Sequence, residues 1–422
     1  MDPLSEISDS PYYASRWPAE DGGARRQQIP LSGVGLGIGD DEMLKATFRF
    51  EVAVTMAVQR DPGELFILRH TLGEETNSWV ERIDPETLEM LQTSAALPAG
   101  PMWPGGLAVA ADGALLCVYG TFAHRLNPET LEIEAQRQLP RPRPYNSFVL
   151  LADGTLVTKD FAKDSDAPSA IMALDPVTLE PRCDEFVLPE RSIARLSADG
   201  NTLYVVGTEH LWRLEWSDGW SLDEVFQPKY RTMEGQTYGW DAVLVDGAAW
   251  FLDNGEGTER FTGTFKNNGT SGAPLHLIRV DLGSGDVAMH EICGAPNGII
   301  ANPPAIDASR KIAIGFDSGN STLTAFDYRD DGTASIRWQR TQDHAPHMII
   351  YPDTGELVTH DHDSERMAEQ LVVLNIETGE ERGRVDTGSP IQSPVFPAAG
   401  FGRDLYSCAF PGISRISVEA KS

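Results

Sequence analysis

Short apolar runs recur along the chain, each broken by a tight turn, while apolar positions at helical spacing are nearly absent. The runs LAVAADGALLCVY (107–119), FVLLADGTLVTKD (148–160), ARLSADGNTLYVV (194–206), AVLVDGAAWFLD (242–253) and MIIYPDTGELVTHD (348–361) share one layout. Asp-Gly or Asp-Thr-Gly sits between two aliphatic stretches, which is a strong hairpin signal. About 20 to 25 residues further on, most copies carry a second phrase. It reads RIDPETLE (82–89), RLNPETLE (125–132), ALDPVTLE (173–180), RLEWSDGW (213–220), RVDLGSGD (279–286), AFDYRDDG (325–332), VLNIETGE (373–380) and, cut short, RISVE (415–419). Its markers are Asp84, Asn127, Asp175, Glu215, Asp281, Asp327, Asn375 and Ser417. They are spaced by 43, 48, 40, 66, 46, 48 and 42 residues, a period near 45 with one insertion.

Two hairpin strands, a marker strand and a fourth strand, repeated at that period, predict the blades of a β-propeller. The expected fold is therefore all-β, an eight-bladed ring over residues 44–422; a seven-bladed ring is the alternative if a terminal unit is not a full blade. The last unit has only three strands of its own, and KATFRFEV (45–52) is expected to close it. The turns in PETLE and IETGE resemble those of the quinoprotein-like and YVTN-like bacterial propellers. That resemblance implies a fold and no particular activity. A quinone-dependent dehydrogenase is disfavoured, because neither a vicinal Cys pair nor a Trp-rich blade signature is present. Residues 1–43 lie outside the repeat and read as an arm, partly irregular, either frayed or wrapped over the ring or a second subunit.

Charge narrows the partners. The 422 residues carry 63 acidic and 34 basic side chains, a formal net charge of −29. A nucleic-acid binder needs a basic stripe to displace counterions, and no dense Lys/Arg run exists, so no nucleic acid and no anionic membrane is expected. The N-terminal stretch lacks the basic and apolar regions of a secretory signal. Cys117, Cys183, Cys293 and Cys408 are scattered singly and read as reduced thiols. A cytoplasmic protein is expected; its oligomeric state is not indicated.

Four of the nine histidines fall within 19 residues of the seventh unit, QDHAPHMIIYPDTGELVTHDHDSE (342–365). If PDTG is a symmetric turn pairing Tyr351 with Glu356, His347 faces His360, with His344 and His362 just beyond. Three readings stay open. The pair, with Asp361, holds one divalent metal ion; or it is a metal-free acid/base pair; or it is a set of hydrogen-bonded channel residues. Superposed hairpins put Asp160, Asp253 and Asp361 at equivalent ends of second strands, with Lys159 in the place of His360. Such carboxylates either line a channel mouth or cap the following turn. Trp103, Tyr145, Tyr238 and Trp240, in loops entering innermost strands, are candidates to stack on a ligand, and Arg141 and Arg143 to hold an anion. The insertion 253–274 in the fifth unit lies at the same end and is a candidate lid.

The expected function is an enzyme of lyase, hydrolase or isomerase type. It acts on a small polar or aromatic molecule at the channel mouth, with His347 and His360 as its acid/base or metal pair. The alternative is a non-catalytic protein-interaction scaffold.

Overall fold

A computed structural model describes residues 10–73, 75–163, 165–258, 263–392 and 396–421. Eight sheets follow one another round a ring. The blades span residues 54–101, 106–138, 145–187, 197–222, 243–291, 305–341 and 349–386, and the eighth joins 397–420 to the strand Glu42–Phe50. In the first seven blades the four main strands pair antiparallel in chain order, innermost to outermost, and in the eighth Glu42–Phe50 takes the outermost place. Glu42–Phe50 pairs with Gly412–Ala420 in an unbroken ladder, from Glu42 opposite Ala420 to Phe50 opposite Gly412. The expected closure by 45–52 is thus found, shifted three residues toward the N-terminus at its start. Blade one carries an extra strand, Leu97–Pro101, beside the exposed half of its third strand.

Burial falls outward along each blade. Second strands such as Leu115–Tyr119 and Leu156–Asp160 are buried on both faces, because neighbouring blades cover them. Outermost strands such as Ala334–Thr341 alternate between half-buried and exposed. The marker residues explain the repeat's second phrase. Asp84, Asn127, Asp175, Asp281 and Asn375 each accept two backbone N–H groups, from the residues two and three further on, at 2.7–3.2 Å. The turn then needs a left-handed residue. Gly285 and Gly379 supply it in two blades, whereas Leu88, Leu131 and Leu179 adopt φ near +60° in the three PxTLE copies. A leucine there costs roughly 1–2 kcal/mol in backbone sterics. All three leucines are fully buried, and burying such a side chain is worth about 1.5–3 kcal/mol, so burial wins.

The arm is not frayed over its described part. Innermost strands leave one edge of backbone groups facing the channel, and residues 12–28 pair with those edges. Val109 N–H donates to Pro18 O, Ala198 N–H to Ala24 O, Leu244 N–H to Arg25 O and Ile350 N–H to Gln28 O, at 2.8–2.9 Å. The Gln28 amide ties blade six to blade seven, donating to Pro304 O and accepting from Met348 N–H. Trp17, Arg26, Gln28 and Leu36 are buried. The arm thus fills the channel from the side of the first hairpin turns. It then runs out past Asp353 and Glu356, which accept from Gly35 and Gly37 N–H, to become the closing strand.

Candidate functional site

With one end of the channel filled, the other is a cup. Its cavity, about 160 Å³, lies where the chain enters the innermost strands. The walls are aromatic. Trp103 packs against Phe161 and Trp240, with ring centroids 5.0 and 6.2 Å away, and Phe265 and Phe396 face the same space. Tyr238 belongs to the cluster behind them, under the Arg191 guanidinium. The polar lining is Lys163, Thr258, Arg195, Asp241 and His347. Of these, Arg195 and His347 meet the arm. Arg195, Asp241 and His347 hold equivalent places, each two residues before its innermost strand.

The arm supplies the floor. Arg195 Nη1 donates to Glu20 Oε2 at 2.8 Å, and its guanidinium carbon lies 4.5 Å from the centre of the Phe396 ring. Asp241 Oδ1 accepts from Arg195 N–H at 2.6 Å. His347 Nδ1 lies 2.8 Å from Asp21 Oδ1, and its ring centroid 4.3 Å from that of Phe396. Beneath, the buried Arg26 joins Glu20 and Asp21 at 2.5 and 3.1 Å and donates to Ser147 Oγ and Leu196 O. Asp21, Arg26 and Gln28 all have φ near +55°, three left-handed non-glycine residues within eight. Such strain persists only where the surroundings over-determine it. Burial would raise the Asp21 carboxyl, but His347, Arg26 and Arg195 hold it below its ordinary value. An ionised carboxylate only accepts, so Nδ1 of a neutral His347 carries the proton and Nε2 is left as the basic nitrogen.

The sequence expectations divide here. His347 and His360 do not form a pair. The ladder has the expected register, but it runs only from Ile349 opposite Val358 to Tyr351 opposite Glu356, and His347 precedes it. His360 turns to the next blade, where Nε2 meets Ser407 Oγ at 2.9 Å, and its nearest imidazole is His344 at 6.4 Å. Burial, then the neighbouring His344, push the His360 pKa down to about 3, so it stays neutral. His344 Nδ1 sits 3.1 Å from Glu369 Oε1 in a poor alignment for a hydrogen bond, and His362 lies toward Pro390 O. Among the described residues no group of three or more His, Cys, Asp or Glu side chains is arranged to hold a metal ion.

The aligned carboxylates are caps within their own blades. Asp160 accepts from Ala170 N–H and pairs with Arg143; Asp253 accepts from His276 N–H and meets His276 Nδ1 at 2.9 Å. Asp361 accepts from Asp343 N–H and pairs with Arg384, and Asp317, at the equivalent place in blade six, accepts three backbone N–H groups. Burial raises the Asp160 and Asp253 carboxyls above the ordinary value. Lys159 is fully buried, donates to Ser192 O at 2.9 Å, and desolvation lowers its pKa to about 7. Tyr145 is buried in the core between blades two and three, its hydroxyl raised by burial. The insertion of blade five contributes Thr258 and Phe265 to the cavity wall; its residues 259–262 lie outside the described part.

The fold has known company. No protein-family model matches the chain, and no curated protein matches it. Solved structures do. Sqt1 from Chaetomium thermophilum is 11% identical, with 91% of this chain and 100% of that one covered and a TM-score of 0.57. Apo AztD from Citrobacter koseri is 12% identical, with 83% and 97% covered and a TM-score of 0.51. BamB from Moraxella catarrhalis is 11% identical, with 87% and 99% covered and a TM-score of 0.50. At such identities the likeness shows the fold alone. The chain is an eight-bladed β-propeller.

Proposed function

We propose that this propeller is an enzyme that takes a compact aromatic or apolar molecule into the channel mouth and transfers a proton on it through His347. The observation that carries the reading is the Asp21–His347 pair. A buried ionised carboxylate fixes the imidazole's tautomer and orientation, and the basic Nε2 belongs to a side chain that lines an aromatic cup. Asp21 is a positioning residue, supplied by the arm and not by the ring. Arg195 and Asp241 beside it offer a donor and an acceptor for a polar group of the ligand. Reactions driven by proton transfer alone, of isomerase, lyase or hydrolase type, match this equipment. An aromatic-walled cup with a polar floor supports a small-molecule site over a purely protein-binding rim.

A panel of aryl esters, aryl lactones and aryl β-hydroxy acids tests the reading, with turnover compared in the parent and His347→Gln. Turnover falling about 100-fold or more in the variant is expected. Equal turnover in both, or no quenching of Trp103 and Trp240 fluorescence by any aromatic compound, overturns it.

A further inference from the structure

The cup is not walled evenly. In blade two the second and third strands are joined by Gly120 and Thr121 alone, whereas blade three spends residues 161–169 on the same connection and blade five 253–275. The rim is low over blade eight too, where Phe410 and Pro411 alone join these strands, but over blade two it opens outward. A second, more open cavity of about 670 Å³ lies on that side, bounded by Pro101 and Met102, by Pro142 and Arg143, and by the blade-three loop with Lys163. Met102 and Lys163 line both spaces, so the groove is the outward continuation of the cup.

The groove's charge is set against that of the whole molecule. The chain carries a net −29, yet among the described residues both charged side chains that line this groove are cations. Lys163 is exposed and has no carboxylate partner among the described residues, while most other lysines do, such as Lys266 with Asp343 and Lys311 with Asp246. Arg143 is anchored through Nε to Asp160, and its Nη1 finds no acceptor. A cation left unpaired on a strongly acidic protein, at the junction of two connected cavities, selects for an anion there.

Resting on the reading of the cup as a small-molecule site, we infer that its ligands are aryl or apolar carboxylic acids. The ring enters the cup, and a carboxylate on a short chain lies in the groove over blade two, held by Lys163 with Arg143 behind it. Prolines 101, 142 and 144 make the groove walls stiff, so little loop ordering opposes binding.

Calorimetric titration of the full chain with three probes tests this: indole, indole-3-butyrate and indole-3-butyramide. Indole should bind, and the acid should bind about tenfold more tightly than its amide, as expected for one partly solvated charge-assisted contact. Lys163→Ala should erase that preference and Lys163→Glu should invert it, read in each variant as the ratio of acid to amide affinity. Indole binding without a preference for the acid overturns the inference and leaves the cup reading standing. A preference that survives both substitutions also overturns it, because the anion is then read elsewhere. Failure of all three probes to bind removes both.

Discussion

The two ends of the channel are built on opposite rules. At the filled end, charge is buried and answered within the protein. Arg26 meets Glu20 and Asp21, and three backbone strains are locked in place around them. At the open end the walls are aromatic, and Lys163 stands exposed at the rim with no partner among the described carboxylates. Evenly distributed stability would need neither device. The difference suggests that the filled end holds the ring and presets the site, while the open end is left for ligand. His347 is where the two meet, since it lines the cup and is held from below.

The contrast can be broken in order of expected effect. Arg26→Ala removes the buried cation that Glu20 and Asp21 share and leaves them only Arg195 and His347, so unfolding free energy should fall by about 3 kcal/mol. A loss below about 1 kcal/mol in denaturant titration would mean the arm is only loosely held, and the comparison of ends would fail. Lys159 comes next, since it is buried with Ser192 O as its acceptor. Its folded pKa of about 7 lies below the ordinary lysine value of 10.5, so between those pH values the unfolded chain binds more protons. The folded state therefore gains as pH rises from 7 toward 10, by at most about 1.4 kcal/mol per pH unit. Lys159→Met should remove that slope, and identical pH profiles for parent and variant would show that the amine is not desolvated. The smallest effect is expected from Lys163→Ala, an exposed cation at the open end. Its thermal midpoint should correspond to a change within about 0.5 kcal/mol, and a larger loss would place Lys163 in the scaffold and not in the site.

Much of this architecture is written in the sequence, and the exceptions have physical causes. The blade count is legible because Asp-Gly turns and capping Asp or Asn markers repeat with the strands. The equivalence of PETLE and IETGE is legible too, although nothing in the letters says that Leu131 must take the left-handed place of Gly379. The hairpin register of blade seven follows from PDTG, but the innermost strand is only Ile349–Tyr351. Extending the pairing two residues to His347 therefore crosses the point where the chain has already turned into the channel. The Asp row was equally visible, and its capping role is the commoner fate of a carboxylate at a strand end. Arg195, Asp241 and His347 form a column of their own before the innermost strands, which aligning first strands in place of second strands would have raised. Asp21 and Glu20 had no such signal. The arm binds through backbone groups and single polar side chains, so it leaves no period in the sequence.

The strand Glu42–Phe50 is synthesised long before its partner, Gly412–Ala420, with seven blades made in between. Until then the ring is an open arc with a waiting edge. That contact is among the most non-local the chain can form, and non-local pairing is slow. The sequence EMLKATFRF suits a long wait: Glu42, Lys45 and Arg49 interrupt its apolar positions and discourage pairing with a neighbouring nascent chain. The strand that closes the ring continues directly from the arm that carries Asp21 to His347, so one continuous segment both floors the site and completes the last blade.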